Sequence, residues 1–266
     1  MITSRVVPAR NGWGWITHGF AIFRSAAPLW IAVVFLYWLL VALVNQLQAV
    51  GMVLATVSLP AFSVSFMVIC SELERGGRVR PSLLFAGFRR ALPAMIMLGG
   101  LYLISTLIIL GISSFADDGA LMKWVLSGKP PGNEQLRDGS ITRAMLLAGA
   151  VGTPVLAAFW FAPVLVSWDG LPPGKALFFS FFATLRNWRA FTLYGAMLGL
   201  FAVLLTVLLA VFAVISGGNI EAVRLAGLLL TVLGMPTLFA SFYVCYRDIF
   251  PVTPAREPDG EAQAAG

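Results

Sequence analysis

The chain has 266 residues, of which 59% are hydrophobic and 11% are charged, and its formal net charge is +6. Soluble domains carry about 25% charged residues, so this composition excludes an ordinary soluble domain. The basic residues are spread over short polar segments rather than gathered on a polar domain, which excludes a nucleic-acid partner and indicates a multi-span membrane protein.

The first predicted unit is an amphipathic segment followed by an uncharged run. One helical face of the segment is apolar, and Arg24 lies off that face. The apolar face consists of Trp13, Ile16, Phe20 and Phe23. No charge occurs from Ser25 to Ser71, which is enough for two spans of roughly 20 residues each. We therefore predict an interfacial helix, meaning a helix that lies in the headgroup layer, then span 1 at about 27–45 and span 2 at about 49–70.

The second unit repeats this order after a charged loop. Pro81 opens the second interfacial helix, because the first position of a helix needs no amide hydrogen. Span 3 is predicted at about 92–114 and span 4 at about 144–167. The long polar loop at 117–137 is expected to be a flexible excursion rather than a domain. Its Asp117-Asp118-Gly119 could hold a hard cation, but a solvated turn is the favoured interpretation.

The third unit begins at Pro172-Pro173, and its interfacial helix continues to Arg189. As a helix, this segment has one apolar face and one polar face. The apolar face is Leu177, Phe178, Phe181, Phe182, Leu185 and Trp188, and the polar face is Ser180, Thr184, Arg186, Asn187 and Arg189. Span 5 is predicted at about 191–215 and span 6 at about 223–245. The tail at 251–266 is rich in Pro, Ala, Gly and Glu, so we predict that it is disordered.

A five-residue pattern links the three units. Phe182-Ala183-Thr184-Leu185-Arg186 matches Phe20-Ala21-Ile22-Phe23-Arg24 and Phe85-Ala86-Gly87-Phe88-Arg89. The sequence therefore predicts an all-α polytopic membrane protein with six transmembrane helices, built as three repeats of an interfacial amphipathic helix plus a helical hairpin. The predicted repeats are about 12–70, 80–168 and 172–246, within a single membrane domain at 1–250.

Two further signatures recur within these repeats. Each second span has a proline followed six residues later by an aromatic residue, in the pairs Pro60 and Phe66, Pro154 and Trp160, and Pro236 and Phe242. The first two repeats also share Leu-Tyr at one offset, in Leu36-Tyr37 and Leu101-Tyr102, where the third has Leu198-Gly199. Proline removes a backbone hydrogen bond and bends a helix, so three kinks could frame a central cavity as in transporters. Packing kinks that neighbouring helices tolerate are the favoured interpretation.

The distribution of positive charge predicts the orientation. Of the 18 Lys and Arg residues, 13 fall on the side of the two termini and the interfacial helices, and 5 fall on the opposite side. Loops rich in Lys and Arg stay in the cytoplasm. Both termini and all three interfacial helices are therefore predicted to be cytoplasmic.

No residue pattern indicates catalysis. His18 is the only histidine and is expected to contact headgroups, while Cys70 and Cys245 are expected to be buried as small apolar residues. We therefore predict no catalytic residue, no cofactor and no metal site, and a protein that is not an enzyme. The centres of the spans lack ionisable groups, which argues against ion-coupled transport. Their hydroxyl side chains are expected to bond to the helix backbone or to pack between helices; they are Ser58, Ser63, Ser65, Ser105, Thr106, Thr153 and Ser241.

Five arginines stand out because they precede the first span of each repeat by a few residues. This set, called the basic collar, consists of Arg24, Arg89, Arg90, Arg186 and Arg189. One interpretation is a ring of sites for anionic lipid phosphates, each worth about 1 kcal/mol near the surface. The other, which the sequence favours, is that these residues set the topology and anchor the chain.

Three motifs carry a family resemblance. They are Phe161-Ala162-Pro163-Val164-Leu165-Val166, the segment Phe179–Ala183 with Arg186-Asn187-Trp188, and the closing Tyr246-Arg247-Asp248-Ile249-Phe250. Together they resemble an uncharacterised family of six-span proteobacterial inner-membrane proteins, which implies location and topology but no site residues. More distantly, the chain resembles the membrane domain attached to some glycerophosphodiester phosphodiesterases, which implies a membrane module without its enzyme.

Two functions remain open. The first is a non-enzymatic inner-membrane protein whose collar engages anionic lipid, in envelope organisation or as an accessory subunit of a membrane complex. The alternative is a transporter or channel for a small or lipid-like solute, through a cavity framed by Pro60, Pro154 and Pro236.

Overall fold

A computed structural model of the chain describes residues 4–77 and 79–251, and every regular element in that part is helical. The elements are α1 (Asn11–Ser25), α2 (Ala27–Asn45), α3 (Gln48–Glu74), a 3₁₀ helix (Pro81–Phe88), α4 (Leu92–Asp117), α5 (Ala120–Ser127), α6 (Asn133–Arg137), α7 (Ser140–Asp169), α8 (Pro173–Arg186), α9 (Trp188–Ile215) and α10 (Ile220–Ile249). The predicted all-α fold is confirmed. Beyond Pro251, the tail predicted to be disordered lies outside the described residues.

Six of these helices are long and apolar enough to cross a membrane. They are α2, α3, α4, α7, α9 and α10, and each contains one of the predicted spans. Each helix exceeds its predicted span by at most a few residues at either end, apart from α2, whose bounds match. The uncharged runs therefore located the spans well, because hydrocarbon excludes charge wherever a helix crosses it.

Burial divides the bundle into two halves. The helices α3, α7 and α10 form its centre, and the main run of buried residues begins at Pro60, at Phe161 and at Pro236, respectively. The closed half lies between these residues and the C-terminal ends of the three helices, and it also carries α1, the 3₁₀ helix and α8. The other half, which ends in the turns between α2 and α3 and between α9 and α10, is mostly exposed apolar surface and is called the open half.

Each of the three amphipathic helices packs against one of the central helices. The 3₁₀ helix lies on α3, α8 lies on α7, and α1 lies on α10, the last span of the chain. Close approach is possible because glycine leaves room for a neighbouring backbone: Gly19 faces Ser241, and Gly87 faces Ala61. The pairing of α1 with α10 brings the two ends of the described chain together.

The predicted faces of the interfacial helices are partly wrong. In α8 the inward side is Ala176, Ser180 and Ala183, while Phe178 and Phe182 are exposed. Ser180, which the sequence placed among the headgroups, is fully buried because its small hydroxyl bonds to the backbone of α7. Exposed aromatic rings remain where the sequence put them, in position to contact acyl chains.

The apolar face predicted for α1 is also divided. Ile16 and Phe23 are buried together with Trp15, whereas Trp13 and Phe20 stay exposed. The helix turns one apolar stripe to α9 and α10 and leaves the other outside. Ile16 and Phe23, which would face lipid if the helix lay alone on a membrane, are therefore buried against two spans.

The long loop after α4 is more ordered than predicted, since it contains α5 and α6. The carboxylate of Asp117 accepts hydrogen bonds from the backbone N–H groups of Gly119 at 3.0 Å and Leu121 at 2.6 Å. Asp117 is buried, so the prediction of a solvated turn is wrong for this residue. Its carboxylate satisfies amide groups at the start of α5 that have no partner within the helix.

Candidate functional site

A polar cluster, called the clasp, joins the two ends of the described chain in the closed half. The carboxylate of Asp248 accepts hydrogen bonds from Arg5 at 2.6 Å, from the side-chain amide of Asn11 at 2.8 Å and from the indole N–H of Trp15 at 2.9 Å. The backbone N–H of Arg5 also donates to the carbonyl of Ile249 at 2.9 Å. One half-buried carboxylate thus holds the N-terminal segment and α1 against the end of α10.

The neighbouring residues of α10 connect the clasp to the other two central helices. Arg247 forms an ion pair with Glu74, the last residue of α3, and the hydroxyl of Tyr243 donates to the same carboxylate at 2.8 Å. The hydroxyl of Tyr246 donates to Asp169, the last residue of α7, at 3.1 Å. All three central helices end here, so these contacts tie their ends to one another and to the clasp.

Asn187 fixes the N-terminal segment at a second place, the break between α8 and α9. Its side-chain oxygen accepts from the backbone N–H of Val7 at 2.8 Å. Its side-chain N–H groups donate to the carbonyls of Arg5 at 3.0 Å and Ala183 at 2.8 Å. The side chain is buried, so the prediction that it faces the headgroups is wrong.

All five residues of the basic collar are exposed. Arg24 lies in the last turn of α1, Arg89 and Arg90 follow the 3₁₀ helix, and Arg186 and Arg189 flank the break at Asn187. None of the five forms an ion pair with another residue of the described ranges 4–77 and 79–251. The guanidinium of Arg189 lies 5.5 Å from the ring centre of Trp188. Each arginine therefore lies where an interfacial helix ends and a span begins.

The structure brings two of the collar arginines into a shared pocket. Arg186 and Arg189, with Asn187 and Trp188, face the N-terminal segment at residues 6–9 across a pocket of about 260 Å³. The other three collar residues do not line it. A separate cleft of about 500 Å³ lies beside the clasp and is lined by Arg5, Arg10, His18 and Arg247, among others. Basic side chains thus surround two recesses of the closed half.

A third cavity lies between the central helices, where the closed half meets the open half. Its volume is about 230 Å³, and its lining contains no acidic, basic or histidine side chain. The aromatic residues that follow each predicted kink proline line it together, and so do both tyrosines of the Leu-Tyr signature. These residues are Phe66, Trp160, Phe242, Tyr37 and Tyr102.

The prolines themselves only partly match the predicted frame. Pro60 lines the cavity, but Pro236 is buried away from it and Pro154 is exposed. Pro163, a second proline of α7, takes the lining position instead. The prediction that Pro60, Pro154 and Pro236 frame the cavity is therefore wrong for two of the three. Helix rotation decides which side of a proline faces inward, and the spacing along the chain does not determine rotation.

Sequence comparison identifies a relative that matches nearly the whole chain. Over 257 residues the chain is 34% identical to a probable inner membrane protein of Burkholderia thailandensis, covering 92% of this chain and 93% of the relative. The chain belongs to that family. No family model and no solved structure matches it. The predicted resemblance to inner-membrane proteins is confirmed, and six membrane-capable helices agree with it.

Other side chains of this inner-membrane protein lie where the sequence predicted. Both cysteines are buried. All seven hydroxyl side chains singled out in the spans donate to a backbone carbonyl three or four residues earlier in their own helix. Of these, Ser65 and Ser241 also contact another helix, since Ser65 accepts from Gly87 N–H at 2.9 Å and Ser241 bonds to Tyr194 at 2.7 Å.

Sequence reasoning did not foresee the roles of Asp248, Asn187, Glu74 and Asp169. The first two belong to motifs that carried the family resemblance, but those motifs gave no partner for either residue. An acidic residue at the end of an apolar helix was the available signal for all but Asn187. Such a residue is equally common where a helix simply leaves the membrane, so the signal does not specify a contact.

Proposed function

We propose that this inner-membrane protein is non-enzymatic and that its basic collar engages anionic lipid, in envelope organisation or as an accessory subunit of a membrane complex. The observation that supports the proposal is the exposure of all five collar arginines at the starts of spans, without an ion-pair partner in the described residues. Arginine pairs well with phosphate because its planar fork can donate two parallel hydrogen bonds. Basic residues at this depth attract anionic headgroups.

The pocket of Arg186 and Arg189 is the strongest of these sites. It holds two guanidinium groups beside the exposed indole of Trp188, an amphipathic side chain suited to the membrane interface. Asn187, which anchors the N-terminal segment, fixes the opposite wall of the pocket. A lipid phosphate would therefore meet a prepared site rather than two mobile side chains.

The orientation belongs to the same proposal. With 13 of 18 basic residues on the side of the collar, both termini lie in the cytoplasm. The collar then faces the cytoplasmic leaflet, where a negative surface potential attracts basic residues. Membrane lipid is the partner that this arrangement supports.

Native mass spectrometry of the full chain, released from its own membrane in mild detergent, tests the collar. The variant has Gln at Arg24, Arg89, Arg90, Arg186 and Arg189. The matched control has Gln at the five basic residues of the opposite side, namely Lys123, Lys129, Arg137, Arg143 and Arg224. Both variants lose the same charge. Retained anionic lipid should be lost from the collar variant alone, and equal retention in the two variants would refute a lipid role.

The second candidate, a transporter or channel for a small or lipid-like solute, has one observation in its favour, the cavity of about 230 Å³ between the central helices. The buried closed half beyond it argues against a continuous pore. The collar proposal is therefore preferred. The distant resemblance to the membrane domain of glycerophosphodiester phosphodiesterases stays a prediction.

A further inference from the structure

We infer that the central cavity is a binding site for one acyl chain of a membrane lipid. The cavity lies in a different place from the collar and would bind a different part of the lipid, so the inference goes beyond the collar proposal. The cavity lies at a depth where lipid chains surround the protein. Its lining residues belong to five of the six helices that can cross the membrane and include Pro60 of α3 and Pro163 of α7, so its surroundings are hydrocarbon rather than water.

The chemistry of the cavity walls suits an apolar ligand. The lining has no charged side chain, and aromatic rings dominate it. Phe66 and Phe239 stack with their ring centres 3.8 Å apart, and Trp160 meets Phe242 edge to face at 5.5 Å. Ions and strongly polar solutes would have to be desolvated without compensation in such a place. An uncharged apolar chain has no polar group that would lose hydrogen bonds on entering the cavity.

The cavity also has the size and the access that an acyl chain requires. An apolar cavity of about 150 Å³ in a soluble protein stays dry and takes up benzene, and this cavity has a volume of about 230 Å³. Its wall is open toward the open half, since Leu59 is 39% exposed and Leu156 is 50% exposed. A chain from the surrounding bilayer can therefore enter without crossing the closed half.

Independent sequence signatures meet at this one cavity. Phe66, Trp160 and Phe242 each stand six residues after a proline in a different span, and Tyr37 and Tyr102 share an offset in two repeats. All five line the cavity. The third copy has Gly199 in place of tyrosine, and a side chain at this position would have no neighbouring atom within 4 Å of its Cβ. The positions that recur along the chain are thus the ones that build the walls.

The test uses the full chain in vesicles of phosphatidylethanolamine and phosphatidylglycerol. The probe is a phosphatidylethanolamine with a photoreactive diazirine at the end of one acyl chain, and crosslinked residues are mapped by mass spectrometry. Labelling of Tyr37, Tyr102 and Phe239 should saturate as the probe concentration rises. Labelling of Leu208, on the outside of α9, should rise in proportion to the probe. Proportional labelling at both places would overturn the inference.

Two variants that fill the cavity sharpen the test. Ser63→Leu fills it from α3 and Leu156→Trp fills it from α7. Ser58→Leu is the matched control for the first, because Ser58 and Ser63 are both half-buried and each donates to the carbonyl three residues earlier at 2.8 Å. Leu146→Trp, on the exposed side of α7, is the control for the second.

Labelling inside the cavity should fall about tenfold in either filling variant, because each methylene group that loses its place weakens apolar binding about fourfold. The controls should keep wild-type labelling. Unchanged labelling in the filling variants would overturn the inference, as would labelling confined to outer faces of wild type. The collar variant should label the cavity like wild type, since the probe headgroup carries no net charge, so the two proposals fail separately.

Discussion

Removing the negative charge of Asp248 tests whether the clasp stabilises the protein. In Asp248→Asn the side chain keeps one acceptor oxygen, and an NH₂ group replaces the other. The best orientation of the amide preserves the bonds from Asn11 and Trp15, but both lose their charge assistance. The NH₂ group then faces the guanidinium of Arg5, which is a donor itself.

The expected loss of stability is about 3 kcal/mol. Hydrogen bonds to a charged group contribute about 1.5–3 kcal/mol and neutral ones about 0.5–1.5, so each of the two preserved bonds weakens by about 1 kcal/mol. The ion pair adds at most about 1 kcal/mol, because the side chain of Arg5 is 55% exposed. At roughly 2–4 °C per kcal/mol, the unfolding temperature should fall by about 6–12 °C.

The protein carries its own reporter for this measurement. Cys70 and Cys245 are both buried and free, so a thiol-reactive dye fluoresces only when unfolding exposes them. Glu221→Gln is the matched control, since it also removes one carboxylate from an ion pair, but the pair of Glu221 and Arg224 is exposed. The control should cost at most about 0.5 kcal/mol. Equal unfolding temperatures for the two variants would refute the role assigned to the clasp.

Asn187→Ala leaves the N–H of Val7 without its partner, so we expect a loss of about 2–3 kcal/mol in the same assay, against about 1 kcal/mol for Asn219→Ala at the start of α10. A smaller loss for Asn187 than for Asn219 would contradict the anchoring of the N-terminal segment. Gly19→Ala should destabilise the protein, because the new methyl group meets the backbone of Ser241, whereas Gly14→Ala should stabilise it by up to about 1 kcal/mol. The same sign for both changes would refute the close contact of α1 with α10. For the orientation, a fluorescent protein fused to the C-terminus should fluoresce and an alkaline phosphatase fused there should be inactive; the reverse pattern would overturn the cytoplasmic assignment.

The spans were predictable because the membrane imposes one strong rule on sequence. The run from Ser25 to Ser71 lacks charge, and the structure places α2 and most of α3 within it. The amphipathic helices at 11–25, 81–88 and 173–186 were predictable in position for a related reason, since aromatic and basic residues gather where hydrocarbon meets water. The collar arginines are exposed as expected for that reason.

Side-chain partners were less predictable. Ser180 and Asn187 look like polar residues facing water, yet both are buried and hydrogen-bonded to other segments. Helical periodicity gives the relative direction of side chains on one helix, but it does not say which direction another helix occupies. For a helix packed in a bundle, the inward side can be the small polar one, because small residues permit close approach.

The helical nature of the chain, the number of its spans and their positions could be read from the sequence, because the cost of placing charge or unpaired backbone in hydrocarbon acts on each segment separately. The three-dimensional fold was needed to show that α1 packs on α10, that Asp248 contacts Arg5 and that five recurring aromatic positions line one cavity. These contacts depend on how separate helices rotate and pack, and the apolar residues that suit the membrane suit many packings equally well.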